Sequence, residues 1–124
     1  MQRTLAIAVA AALAACGTAT DDRPTTLENI TSSVLAPNCA NAQCHSAFRQ
    51  IRGYAFDSVE HAKTTIEMNG LVAPSDPDAS LLFLVLVSPG GDGNTPRMPY
   101  DQPLADADVQ LIRRWIAEGA DGIQ

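Results

Sequence analysis

Apolar residues fall into several blocks along this chain, and the blocks differ in period. The first, residues 4–15, is an uncharged run of Ala, Leu, Val and Ile preceded by Arg3. It is shorter than the about 20 residues a membrane-spanning helix needs. With its positive start it has the layout of a secretory signal over residues 1–15. In the second block Leu27, Ile30 and Val34 recur at i, i+3 and i+7, with Leu35 beside them. That spacing predicts a helix over residues 26–36 with one apolar face. Glu28 suits the positive end of its dipole, and Pro37 is expected to stop it.

The stretch GYAFDS, residues 53–58, reads as an extended piece entering a turn. A second helix is predicted over residues 58–68, with Ser58 as N-cap and Asn69-Gly70 at its end. A third begins where Asp76 can cap and Pro77 suits the first helical position, and continues through Leu81 to Val87. Its run LLFLVLV is apolar all round. A buried strand would give the same pattern, and the cap chemistry ahead of it favours helix. The last helix is predicted over residues 105–118. Val109, Ile112 and Ile116 form a stripe widened by Leu111 and Trp115, and Gly119 closes it. Between the third and last helices lie residues 88–104, with four prolines and three glycines. Loops of that length in compact domains are usually functional or disordered.

These elements imply an all-α chain with one small domain over residues 27–124. Residues 16–26 ahead of it read as a flexible tether, because residues 17–26, GTATDDRPTT, are small and polar and include a proline. The signal run ends in Leu13-Ala14-Ala15-Cys16. This resembles the lipobox of bacterial lipoproteins, which implies export and a lipid anchor on Cys16. Gly17 after it leans toward an outer-membrane address, on the periplasmic side or at the cell surface. Without residues 1–15, 7 Lys+Arg stand against 14 Asp+Glu. No basic run is present, so nucleic acid is not an expected partner. The acidic balance favours a partner with a basic docking face.

Composition changes the picture in two further ways. Three Phe, two Tyr and one Trp are few large rings for a core of this size, which leaves room for another group at the centre. Three cysteines are an odd number for an exported protein. With lipid on Cys16, Cys39 and Cys44 remain as a pair for a disulfide or a cofactor.

The pair lies in NCANAQCHSAF, residues 38–48. The haem-attachment signature is Cys-x-x-Cys-His, in which two thiols bond the porphyrin and the histidine binds its iron. Here four residues separate the cysteines instead of two. Five steps of about 100° put them about 140° apart on a regular helix. The ANAQ segment therefore has to loop out for both thiols to serve one ring. The competing readings are a Cys39–Cys44 disulfide with His45 a bystander, and a zinc site of Cys39, Cys44, His45 and His61.

Beyond His45 the chain offers LVAPSDPDASLL at 71–82, RMPY at 97–100 and PLADADVQLIRRWIAEGA at 103–120. In this order, after an apolar helix and the Cys-Cys-His cluster, the pieces resemble the small planctomycete-type cytochrome c domains related to class I cytochrome c. Ser75 stands where that family prefers Gly. The resemblance covers about residues 27–120. It implies a small cytochrome c-like domain of about four helices with a long Met-bearing loop. It further implies one haem c on Cys39 and Cys44, His45 as proximal iron ligand and Met98 as distal ligand. Met68 and His61 are the competing distal candidates. The function implied is electron transfer between redox proteins rather than catalysis. The first and last helices are expected to cross, with Trp115 near the cofactor edge or in the plain core.

Overall fold

The computed structural model describes residues 20–88 and 96–124. The expected signal sequence, Cys16 and residues 89–95 of the long loop lie outside them. Among the described residues the fold is all-α: four helices, short 3-10 turns, and one isolated bridge between Ala73 and Asp76.

Helix α1 is one rod of three abutting pieces, Leu27–Ile30, Thr31–Leu35 and Ala36–Cys39. Thr26 caps it, its hydroxyl accepting the Asn29 N–H at 3.2 Å. Contrary to expectation, Pro37 does not stop the rod. The middle piece is a π turn, in which the Ala36 N–H reaches back to the Thr31 carbonyl. A π turn is wider than an α turn. It lies just before the proline, where a regular helix would press a carbonyl onto the ring. The Asn38 side-chain amide then donates to the Val34 carbonyl at 2.8 Å. The extra turn carries the helix to Cys39.

Helix α2, Val59–Asn69, follows its sequence signals. The Ser58 hydroxyl accepts the His61 N–H, and Gly70 takes the left-handed conformation at the far end. The expected third helix is broken in two. Asp76 caps a 3-10 turn, Pro77–Ala79, and helix α3 is Leu81–Val87. Ser80 sits at the break, fully buried. Its hydroxyl accepts the Ala73 N–H at 2.9 Å and donates to the Asp76 carbonyl at 2.8 Å. These bonds hold the backbone out of helix at that one residue. Helix α4, Asp106–Ala117, buries Val109, Leu111, Ile112, Trp115 and Ile116. They share one core with Leu27, Ile30 and Val34 of α1, so the first and last helices meet as expected.

The two ends of the domain are tied together. The Asp121 carbonyl accepts the Leu27 N–H at 3.2 Å and the Trp115 indole N–H at 3.0 Å. Gly122 has φ +91°, and a Cβ there would lie 2.7 Å from Leu27 Cβ. Gly122→Ala is expected to cost about 2 kcal/mol or more from overpacking and positive φ, read as a lower urea midpoint.

Part of the stretch expected as a tether, residues 16–26, bonds to the helical body. Arg23 donates to Asp21 and, at 2.7 Å, to Asp108 of α4, while Arg114 donates to the Arg23 carbonyl at 2.9 Å. The Thr25 hydroxyl donates to Glu118. The Arg23 guanidinium holds the Asp21 carboxyl down to about 2. Exposed polar sequence reads as linker by composition, but these long-range bonds lay residues 21–25 on α4.

Candidate functional site

Helix α1 ends at Cys39, and the chain then turns out and back. The Cys44 N–H bonds the Asn41 carbonyl at 3.0 Å, and the His45 N–H bonds the Cys39 carbonyl at 3.1 Å. Asn41, Ala42 and Gln43 project into solvent. The segment between the cysteines is therefore looped out, as the attachment of both thiols to one ring would require. Both cysteines are free thiols. Burial, with Cys44 adding to it, pushes the Cys39 thiol up to about 12.

Both thiols and His45 line a cavity of about 360 Å³. This falls within the range of small-molecule and cofactor pockets, roughly 300–1,000 Å³. Its walls come from three other parts of the chain. The extended segment after residue 53 supplies Tyr54 and Phe56, on one face because side chains alternate in extended backbone. Phe56 is fixed from two sides. Its N–H bonds the His45 carbonyl at 2.8 Å, and the preceding Ala55 is clamped by the buried Thr65 hydroxyl, which bonds both its N–H and its carbonyl. Helix α3 supplies Leu81, Leu82, Val85 and Leu86, an i, i+1, i+4, i+5 set on one face. Phe83 is buried in the core on the other side, under the guanidinium of Arg113. That two-sided burial explains a helix apolar all round.

The long loop supplies Met98. Its N–H bonds the Val85 carbonyl at 2.8 Å, which ties the loop to α3 where α3 borders the cavity. Pro96 and Pro99 restrict the backbone on either side. The competing distal candidates lie elsewhere. Met68 is 79% exposed. His61 bonds Asp57 at 2.7 Å, and neither residue lines the cavity.

The His45 ring is oriented by its surroundings. Its Nδ1–H donates to the Ile51 carbonyl at 3.0 Å, which leaves Nε2 as the unprotonated nitrogen. Tyr54 and Phe56 flank it at centroid distances of 5.6 and 5.7 Å. Burial lowers its pKa, opposed by the bond to Ile51, and the charge of Arg52 lowers it further. The imidazole is thus held neutral and in one tautomer, the form in which histidine binds a metal.

A four-ligand zinc centre does not assemble. His61 is turned to Asp57, and among the described residues no three His, Cys, Asp or Glu side chains converge to hold an ion. Trp115 is fully buried in the core and does not border the cavity. Sequence reasoning missed Tyr54, Phe56 and Arg52 as cavity residues. The alternation in YAF was the available signal for the first two. Arg52 gave none, because its left-handed backbone (φ 61°) is not what its residue type favours. No protein-family model matches the chain, nor does any curated protein or solved structure.

Proposed function

We propose that the chain is a single-haem c-type electron carrier, with haem bonded through Cys39 and Cys44 and its iron held by His45 and Met98. The observation that carries this reading is the convergence of four groups. Two thiols, an oriented imidazole and a thioether, drawn from distant parts of the sequence, border one apolar cavity. The donor set fits the group. Thiols suit the covalent bonds, a neutral imidazole with Nε2 unprotonated suits iron, and a thioether is the common second ligand of cytochromes c. The cavity is too wide and too apolar for a bare ion to be its natural occupant.

Bound there, haem would supply a one-electron redox centre shielded from water. The chain's own parts divide the work. Leu82 and Leu86 of α3 and Phe56 present buried apolar surface that excludes water. The Ile51 carbonyl fixes the imidazole, and α3 anchors the Met98 loop through Val85. No part of this requires substrate turnover, so the proposed role is a carrier and not an enzyme. Export and a lipid on Cys16 complete the proposal from the sequence. Among the described residues no helix is long and apolar enough to cross a membrane.

The test is expression in a host with a haem-attachment system. The purified protein is expected to be red, with a sharp visible band on reduction. Mass spectrometry is expected to find haem on the peptide holding Cys39 and Cys44, and none after Cys39→Ala with Cys44→Ala. A colourless folded protein with a Cys39–Cys44 disulfide would instead establish a haem-free lipoprotein domain of the same fold.

A further inference from the structure

We infer that Asp57 is a positioning residue for the His45 imidazole, acting through the turn of residues 46–54, and that His61 holds Asp57 in place. The inference deepens the electron-carrier reading, and rests on it for what the positioning serves, which is a proximal iron ligand.

The imidazole is oriented by the Ile51 carbonyl, which accepts its Nδ1–H at 3.0 Å. Ile51 stands in a turn that the chain does not form readily. Gln50 and Arg52 have φ of 45° and 61°. That left-handed region costs a residue with a Cβ about 1–2 kcal/mol. Phe48, Arg49, Gln50, Ile51 and Arg52 are all exposed, so little packing holds the turn. Its own hydrogen bonds stay within it or return to the Cys-His cluster. The Ser46 carbonyl accepts the Gln50 N–H at 2.9 Å, and the Cys44 carbonyl accepts the Ile51 N–H at 3.1 Å.

Among the described residues, one hydrogen bond ties residues 46–54 to chain beyond the turn and the cluster. The Ala47 N–H donates to Asp57 Oδ2 at 3.0 Å. Asp57 is in turn placed by α2. Its neighbour Ser58 caps that helix, and from the first turn His61 donates its Nδ1–H to Asp57 Oδ1 at 2.7 Å. Each carboxylate oxygen thus has a partner. The Ala47 bond first, then the His61 bond, hold the carboxyl below the usual carboxylate range. Hydrogen bonds to an ionised acceptor are among the stronger ones. The connection runs from α2 through Asp57 and Ala47 to the Ile51 carbonyl, and from there to the ring. His61, a competing iron ligand by sequence, acquires a role away from the cavity.

The test uses Cys16→Ser protein from a host with a haem-attachment system, alongside its Asp57→Ala, Asp57→Asn and His61→Phe variants. Solvent exchange of the His45 Nδ1–H and of the Ala47 amide is read by nuclear magnetic resonance in the reduced protein. In Asp57→Ala both should exchange about tenfold faster, as the loss of a charge-assisted bond predicts. The reduction potential should rise, because a weaker Nδ1–H bond makes the imidazole a less basic ligand. Asp57→Asn keeps an oxygen for Ala47 and should restore exchange to within about threefold of the parent. His61→Phe should fall between the two, and it decides the matter if Asp57→Ala does not fold. A purely structural role predicts a lower urea midpoint with His45 exchange unchanged. That result, or failure of Asp57→Asn to restore exchange, would overturn the inference. A colourless protein would sink the electron-carrier reading alone. The ring-nitrogen shifts of His45 should then still report one tautomer in the parent and a mixture in Asp57→Ala, and one tautomer in both would overturn the inference as well.

Discussion

Met98→Ala is expected to lower the reduction potential of the haem-loaded protein by on the order of 100 mV or more. The change lies well inside the roughly 0.8 V that axial ligation spans. A thioether stabilises reduced iron relative to oxidised iron, and removing it takes that preference away. The substitution isolates the side chain, because the bond from residue 98 to the Val85 carbonyl is made by the backbone and survives. Potentiometric titration followed by visible absorption reads the shift, and the far-red charge-transfer band of the oxidised protein should vanish with it. Met68→Ala is the control. That side chain lies out in solvent, so its loss should leave both readouts unchanged. An unaltered potential in Met98→Ala would remove Met98 as a ligand.

Trp115→Ala should be the most damaging single change to stability, at about 3–5 kcal/mol. Small domains are stable by only about 5–15 kcal/mol in total, so much of the variant would be unfolded at modest urea. The residue is the largest fully buried side chain, and its indole N–H reaches the Asp121 carbonyl. Trp115→Phe should be far milder, about 1 kcal/mol. It keeps most of the ring volume, and the Asp121 carbonyl still accepts the Leu27 N–H. Urea unfolding followed by far-ultraviolet circular dichroism separates the two variants. Because Trp115 does not border the cavity, folded Trp115→Phe protein should keep an unchanged haem spectrum. A shifted spectrum would place the indole nearer the cofactor than the core packing does.

The elements most legible in the sequence were those fixed by local chemistry. Ser58 and Gly70 bound α2 because a hydroxyl cap and a left-handed glycine act within one turn of chain. The stripe of α4 was legible because period alone defines its buried face. The misread positions were set by distant groups. Pro37 was expected to end α1, yet the π turn before it makes room for the ring, and no short-range rule announces such a turn. Ser80 breaks the third helix through a bond to Ala73, seven residues away in sequence. For the site, the Cys-His cluster and the Pro-flanked Met98 were readable as chemistry, and their meeting at one cavity depends on α3. That helix was ambiguous in sequence because it packs on both sides. The lip formed by Ile51 and Arg52 depends on a left-handed turn that residue type does not reveal.

The bond from Arg23 to Asp108 has a consequence for reach. With a lipid on Cys16, only residues 17–22 separate the bilayer from Arg23, the first residue bonded to α4. Six residues span at most about 22 Å, however they run. On so short a leash an anchored domain would sweep a thin layer close to the lipid headgroups, and a soluble redox partner would have to come down to that layer to meet it.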